Sequence, residues 1–221
     1  MAINTDSQSA VTVILAMIYL VLILSIGIYV SNKMTLKGRR CRGLEEKVYP
    51  NLDKFITNIS DDDAKYPLRD YYIKTAYNCC AVGIYKNSYV DLCALNACLG
   101  QGNRCLDMEI YSIKGEPAVA VSSLKDFNIK ESYNSIPLSD VFQHLQDNAF
   151  SAGACPNPAD PLFLNLRIKS DHKEINDKIA GLIYTHFESL VMGPEYSYEN
   201  HQHNFSEIPL KEMRGKVIIM V

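Results

Sequence analysis

The chain has 221 residues, which is enough for one domain of ordinary size and a short additional segment. Its formal net charge is −3 and its pI is about 6.0, so it lacks the overall positive charge of nucleic-acid-binding proteins, and we expect no nucleic-acid partner. The seven cysteines are odd in number and contain no CxxC pair, which predicts neither a disulfide framework nor a zinc site. We interpret them as free thiols, mostly buried, in a reducing compartment.

The first feature along the chain is an uncharged apolar run at residues 10–30, which also contains no proline. A helix of about 20 residues spans the hydrocarbon core of a bilayer, so this run predicts a transmembrane helix. A cleaved signal peptide is the main alternative, but residues 1–9 carry only one charge, on Asp6, and no basic residue. We therefore expect an N-terminal tail at 1–9, the transmembrane helix at 10–30, a juxtamembrane linker at 31–64 and a folded domain at 65–221.

Basic residues follow the apolar run and are absent before it, namely Lys33, Lys37, Arg39, Arg40 and Arg42. The positive-inside rule then predicts a single-pass membrane protein with a lumenal or exterior N-terminus and a cytoplasmic C-terminal domain. This orientation agrees with the free-thiol interpretation and makes the glycosylation sequons that begin at residues 58 and 204 chance matches. Membrane lipids are expected partners through the anchor.

Strand and helix patterns alternate after the linker. Apolar and polar residues alternate over 105–113 and over 162–168, which predicts two strands that each have one polar face. Residues 117–121 and 217–221 predict shorter strands, and residues 175–187 carry apolar side chains at helical spacing. This order predicts an α/β domain with a parallel sheet that helices cover.

The polar faces of the two longer strands carry Asp107 and Glu109 on the first, and Asn165 and Arg167 on the second. Residues two apart on a strand point the same way, so the members of each pair share a face. Such faces suit the interior of a barrel near one mouth. There, Arg167 is expected to pair with the two acids.

Three segments carry a resemblance to a known family: PLRDYYIKTAYN at 67–78, GNRCLDMEIYSIKGEPAV at 102–119 and PLFLNLRI at 161–168. They resemble, in order and spacing, the X region of phosphatidylinositol-specific phospholipase C, within the TIM-barrel superfamily of PLC-like phosphodiesterases. The chain looks most like the membrane-anchored versions encoded by large DNA viruses. The resemblance implies the first half of a TIM-like (β/α) barrel, which a second region normally completes.

The resemblance also implies a site, because the family uses two histidines as general base and acid, and its eukaryotic members hold calcium with one asparagine and three acids. Here the first histidine position falls on Tyr77, and the second falls on Val121, or on Ser122 with a one-residue slip. A valine cannot transfer protons, and a tyrosine with a pKa near 10 is a poor base at neutral pH. We therefore expect no catalytic pair.

The calcium-ligand positions are only partly kept. The asparagine is present as Asn78, and the paired acids fall on Asp107 and Glu109 with the two residue types exchanged. The last acid is replaced by Arg167, whose positive charge would repel calcium. These positions form a polar mouth with vestigial ligands, and we expect no metal and no cofactor. The five histidines of the chain, at 144, 172, 186, 201 and 203, all lie outside the motif positions.

The function expected from these residues is that of a pseudoenzyme: a membrane-anchored, catalytically inactive phospholipase C-like scaffold. The viral resemblance implies a minor structural protein of the virion, capsid-associated, which links the internal membrane to the capsid or to other virion proteins. Two alternatives stay open at this point. One is a module that binds phosphoinositide headgroups, and the other is an active phosphoric diester hydrolase.

Overall fold

The computed structural model describes residues 5–47, 56, 58–124, 129–197, 199 and 204–221. The chain divides into two compact units, Met1–Arg39 and Arg40–Val221. Within the predicted linker at 31–64, residues 48–55 and 57 lie outside the described residues. The histidines at 201 and 203 also lie outside them.

The first unit consists of the N-terminal part of helix α1 (Thr5–Lys47). Within α1, the stretch Ala10–Glu46 is long and apolar enough to cross a membrane, judged by length and composition. The helix extends beyond the predicted span of 10–30 at both ends. Residues 31–47 contain no proline and many good helix formers, so nothing in the sequence stops the helix after the apolar run.

The second unit is built on one six-stranded sheet in the order β4-β3-β2-β5-β6, with β1 beside β2. The α/β class and the two longer predicted strands are confirmed, since β2 and β5 begin and end at the predicted residues. The strands are β1 (Thr75–Ala76), β2 (Cys105–Ile113), β3 (Glu116–Ala120), β4 (Ile136–Pro137), β5 (Leu162–Ile168) and β6 (Val217–Met220).

The prediction of a parallel sheet is wrong for two of these strands. β1, β5 and β6 run parallel to their neighbours, but β3 is antiparallel to β2 and β4 is antiparallel to β3. The physical reason is the turn between β2 and β3, in which Lys114 and Gly115 have φ values of 55° and 80°. Two consecutive residues with positive φ form the tight hairpin turn that reverses a strand.

Helices cover the apolar face of the sheet. They are α2 (Leu92–Gly100), α3 (Leu138–Asn148) and α4 (Lys173–Phe187). The short α5 (Leu210–Met213) lies on the other face, where Met213 packs in a second apolar cluster with Phe163 of β5. The apolar side of β2, formed by Leu106, Met108 and Ile110, is fully buried in the core that α3 and α4 complete. The rings of Phe142 and Phe187 join these two helices at a centroid distance of 5.1 Å. The core thus fixes the sheet with its other face turned away from α2, α3 and α4.

The expectation that all cysteines are free thiols is wrong for two of them. Cys41 and Cys93, which lie 52 residues apart in sequence, form a disulfide. The other five are free, and Cys79, Cys80 and Cys155 among them are buried as small core residues. The sequence interpretation failed because a pairing between distant segments leaves no spacing signal.

Candidate functional site

Two neighbouring parallel strands bring the predicted polar residues together. β2 and β5 pair in a register that sets Asp107 opposite Asn165 and Glu109 opposite Arg167. Because alternate residues of a strand share a face, all four side chains lie on the side of the sheet opposite α2, α3 and α4.

The guanidinium of Arg167 binds both carboxylates. Its Nε and Nη2 donate to the two oxygens of Asp107 at 2.8 and 2.6 Å, and its Nη1 donates to Glu109 Oε1 at 2.7 Å. Nη2 also donates to Asn78 Oδ1 at 2.7 Å. The bidentate, charge-assisted contact with Asp107 is the strong form of an arginine–carboxylate pair. We call Asn78, Asp107, Glu109 and Arg167 the Arg167 cluster.

Asp107 is held by neutral donors as well as by Arg167. Its carboxylate accepts the backbone N–H of Asn78 at 3.1 Å and the side-chain amide of Asn165 at 2.7 Å. Only 6% of its side chain is exposed, so protein donors have replaced the water that a free carboxylate would bind.

Glu109 is buried still more deeply, with 2% of its side chain exposed. Its Oε2 accepts the hydroxyl of Tyr111 at 2.8 Å and the backbone N–H of Ser122 at 3.0 Å. Burial, and then the hydrogen bond to Glu109, raise the pKa of Tyr111 well above its ordinary value. The phenol therefore stays protonated and acts as a donor to the carboxylate.

The charge of Arg167 is stabilised within the cluster. Burial alone lowers its pKa, but the hydrogen bonds and charge of Asp107, followed by the charge of Glu109, outweigh burial and raise the pKa above its ordinary value. One guanidinium thus faces two carboxylates, and the cluster carries a formal charge of −1. A permanently charged arginine holds these acids together but cannot exchange protons with a substrate.

The first family histidine position, Tyr77, contacts the cluster through its ring. Arg167 Cζ lies 4.3 Å from the centroid of the Tyr77 ring, in a cation–π contact. The ring also lies 6.0 Å from that of Tyr85, and 58% of Tyr77 is exposed. Tyr77 therefore covers the guanidinium.

The second histidine position is resolved by strand register. Glu109 lies opposite Ala120 in the β2–β3 pair, so Ala120 and Ser122 share the face of the Arg167 cluster. Val121 points the other way and is part of the hydrophobic core, 1% exposed. Of the two candidate residues, Ser122 and not Val121 contacts the cluster, through the backbone N–H that it donates to Glu109. Neither residue can replace an imidazole.

Histidines do not contribute to the Arg167 cluster within the described residues. His144 of α3 contacts Asn96, and His186 of α4 contacts Gln146. The exposed His172 directly precedes α4. None of these three histidine side chains forms a hydrogen bond with a residue of the Arg167 cluster.

The cluster does not fit calcium, which needs six to eight oxygen ligands. Of the oxygens that would serve, Asn78 Oδ1, both oxygens of Asp107 and Glu109 Oε1 accept hydrogen bonds from the guanidinium of Arg167. The remaining one, Glu109 Oε2, accepts from Tyr111 and Ser122. A divalent cation would have to displace a bonded cation of the protein itself. The expectation of no metal at these vestigial positions thus has a physical basis in Arg167.

One donor of the cluster has no partner. The side-chain Nδ2 of Asn78 is buried without a hydrogen bond, and the whole residue is 3% exposed. Asn78 also has a φ of 49°, a left-handed conformation that asparagine tolerates better than most residues. The local turn thus holds the amide with its oxygen toward Arg167, while its buried nitrogen makes no hydrogen bond.

Sequence reasoning missed Tyr111, which supports the cluster from the end of β2. The alternation that selected Asp107 and Glu109 continues to Tyr111, so a signal was present. The backbone donor of Ser122 had no such signal, because only the register of the hairpin brings it to Glu109.

In sequence, residues 64–221 match the family described as phosphatidylinositol-specific phospholipase C, X domain. Among curated proteins, no sequence matches the chain.

Solved structures share the fold. PLC21 of S. officinalis and PLC21 of L. pealei are similar with a TM-score of 0.56 each and sequence identities of 17% and 18%. Both alignments cover 71% of this chain and 18% of the PLC21 chain, so this chain spans less than a fifth of their length. A calcium-dependent phosphoinositol-specific phospholipase C from a Gram-negative bacterium, Pseudomonas sp., has a TM-score of 0.46 and 13% identity, with 73% of this chain and 60% of that chain covered.

Proposed function

The chain belongs to the phosphatidylinositol-specific phospholipase C X-domain family, and on this premise we propose that it is a membrane-anchored, catalytically inactive scaffold. The observation that carries the proposal is the Arg167 cluster, in which one guanidinium binds the two acids that the resemblance aligns with calcium ligands. Family chemistry also needs two imidazoles, and here Tyr77 and Ser122 face the cluster instead. The acids are kept, but their role is to hold Arg167.

The proposed architecture is an anchor followed by the first half of a TIM-like barrel. The parallel strands β1, β2, β5 and β6 support the half-barrel, together with the polar side chains on one face of β2 and β5. The length and composition of α1 support the anchor, and the basic residues that follow the apolar run support a cytoplasmic domain.

The proposed setting is the internal membrane of a virion. The resemblance to anchored family members of large DNA viruses supports it, together with a tethered domain that lacks an acid–base pair. In this setting the protein is a minor structural component that links the membrane to the capsid or to other virion proteins.

The test of inactivity is hydrolysis of phosphatidylinositol by the full chain reconstituted in vesicles. We expect release of inositol phosphate to be about 10⁴–10⁸-fold below that of a family member with both histidines, because each acid–base group contributes about 10²–10⁴. Added calcium should not change the result, since Arg167 occupies the ligand positions.

The control for this assay is Glu109→Gln, which removes one acid of the cluster. Turnover above the vesicle background that is lost in Glu109→Gln would contradict the scaffold proposal and assign the protein to the phosphoric diester hydrolases. Equal, background-level signals from both proteins would support the scaffold.

A second candidate function, binding of phosphoinositide headgroups without cleavage, is favoured by the unpartnered Nδ2 of Asn78. If it is correct, calorimetry should detect binding of inositol 1-phosphate to the detergent-solubilised chain. Asn78→Asp keeps the oxygen that accepts from Arg167 but loses the donor, so affinity should fall about tenfold or more. Asn148→Asp on α3, which adds the same charge, is the control, and equal affinity of both variants would reject this candidate.

A further inference from the structure

The disulfide joins two segments that are distant in sequence within the second unit. Cys41 lies in α1, and Cys93 lies in the first turn of α2, after the N-cap residue Asp91. Both cysteines are partly exposed, so an external thiol or disulfide can reach the sulfurs.

A second contact shows that the end of α1 is packed against the domain beside this bond. Arg40 Nη1 donates to Ser88 Oγ at 2.6 Å, and Ser88 is fully buried. The residue next to Cys41 therefore makes a noncovalent contact with the domain in addition to the disulfide.

The other cysteines are poorly suited to compete for this bond. Burial raises the pKa of Cys98 to about 12, and burial also raises that of Cys105. The pKa of Cys79 is raised by its hydrogen bond with Cys80 and by burial. A thiol that stays protonated at neutral pH is a weak nucleophile, so Cys79, Cys98 and Cys105 are expected to react slowly with an external disulfide.

We propose that the Cys41–Cys93 disulfide is a reversible, redox-controlled link between the segment that follows the apolar run and the α/β domain. The oxidant is a disulfide R–S–S–R, supplied by a small molecule or an oxidoreductase. One cysteine thiolate attacks it and releases R–S⁻, and the second thiolate then displaces the other R–S⁻ from the mixed disulfide. The two protons go to the released thiolates, so two cysteine thiols are oxidised and one external disulfide is reduced.

The consequence of the link is a change in covalent path. With the bond formed, the disulfide connects Cys41 covalently to Cys93 of the domain. With the bond reduced, the only covalent path from Cys41 to the domain runs through residues 42–57, whose fully extended length is about 55 Å. Intracellular disulfides in mesophiles are usually transient and redox-sensing, so a reversible link agrees with the cytoplasmic domain of the proposed function, on which this step rests.

The test uses the full chain in detergent, with the recognition sequence of a site-specific protease inserted after Lys47. After equilibration with glutathione mixtures of increasing oxidised fraction, free thiols are alkylated, the chain is cleaved and the fragments are separated on denaturing gels without reductant. We expect the two fragments to stay joined under oxidising mixtures and to separate under reducing ones, because denaturation leaves only the disulfide between them.

Matched variants identify the bond. Cys93→Ser should give separated fragments under every mixture, whereas Cys105→Ser, which removes another partly exposed cysteine, should behave like the unaltered sequence. Fragments that separate even under fully oxidised glutathione, or that stay joined in Cys93→Ser, would overturn the proposal.

A metal site is the remaining rival, since the Asp91 carboxylate and the two sulfurs lie within 4.8 Å of one another. Zinc that co-purifies with the reduced chain and is lost in Asp91→Asn would assign the sulfurs to a metal and overturn the link. Absence of bound zinc from the reduced protein would support the redox-controlled link.

Discussion

Replacement of Arg167 by alanine is expected to lower the free energy of unfolding by about 3–5 kcal/mol, the usual cost of leaving a buried charge without its partner. The variant leaves Asp107 and Glu109 facing each other with 6% and 2% of their side chains exposed and no countercharge. Chemical denaturation followed by near-ultraviolet circular dichroism measures the change, since the chain has 14 tyrosines and no tryptophan.

The control is Arg69→Ala, which removes an ion pair with Glu207 whose side chains are 56% and 61% exposed. Solvated pairs contribute about 0–1 kcal/mol, so this variant should be nearly neutral. Equal costs for the two arginine variants would contradict the role assigned to Arg167.

The effect of calcium on stability distinguishes two roles of Arg167. Either its charge takes the place of a bound cation, or it only holds the structure together. Removal of Arg167 frees the oxygens of Asn78, Asp107 and Glu109, so calcium should stabilise Arg167→Ala, by about 2.7 kcal/mol at a concentration 100-fold above its dissociation constant. The unaltered protein should show no such stabilisation. A calcium-dependent increase in the stability of the unaltered protein would mean that the cluster accepts the metal beside Arg167.

Reduction of the Cys41–Cys93 disulfide is the second large effect, with an expected loss of about 4 kcal/mol. The bond closes a loop with a sequence separation of 52 residues, and in the chain-entropy model such a closure restricts the unfolded state by that amount. Urea unfolding of the full chain with and without a reductant measures it.

The matched variants for this measurement are Cys93→Ser and Cys105→Ser. The stability of Cys93→Ser should not depend on the reductant, and Cys105→Ser should keep the full dependence. A reductant effect of the same size in Cys93→Ser would show that the stabilisation comes from another source.

The strands that form the site were predictable because apolar and polar residues alternate over their whole length. Cys105–Ile113 and Leu162–Ile168 alternate over enough residues for the period of two to identify both the strands and their polar faces. Since the polar faces carry Asp107, Glu109 and Arg167, their pairing also followed from residue type and spacing.

The short strands β1 and β4 were not predictable, because two residues carry no period. The direction of β3 depended on the turn at Lys114–Gly115. The position of Ser122 at the cluster followed from the register of that hairpin, which sequence alignment to a family motif left open by one residue.

The sequence by itself thus determined the apolar helix, the α/β class and the charged residues of the cluster, because periodicity and residue chemistry are local properties. Only the tertiary structure decided that Val121 lies in the core, that Tyr77 covers Arg167 and that Cys41 reaches Cys93. Each of these depends on how segments far apart in the chain are placed against each other, and no local pattern encodes that placement.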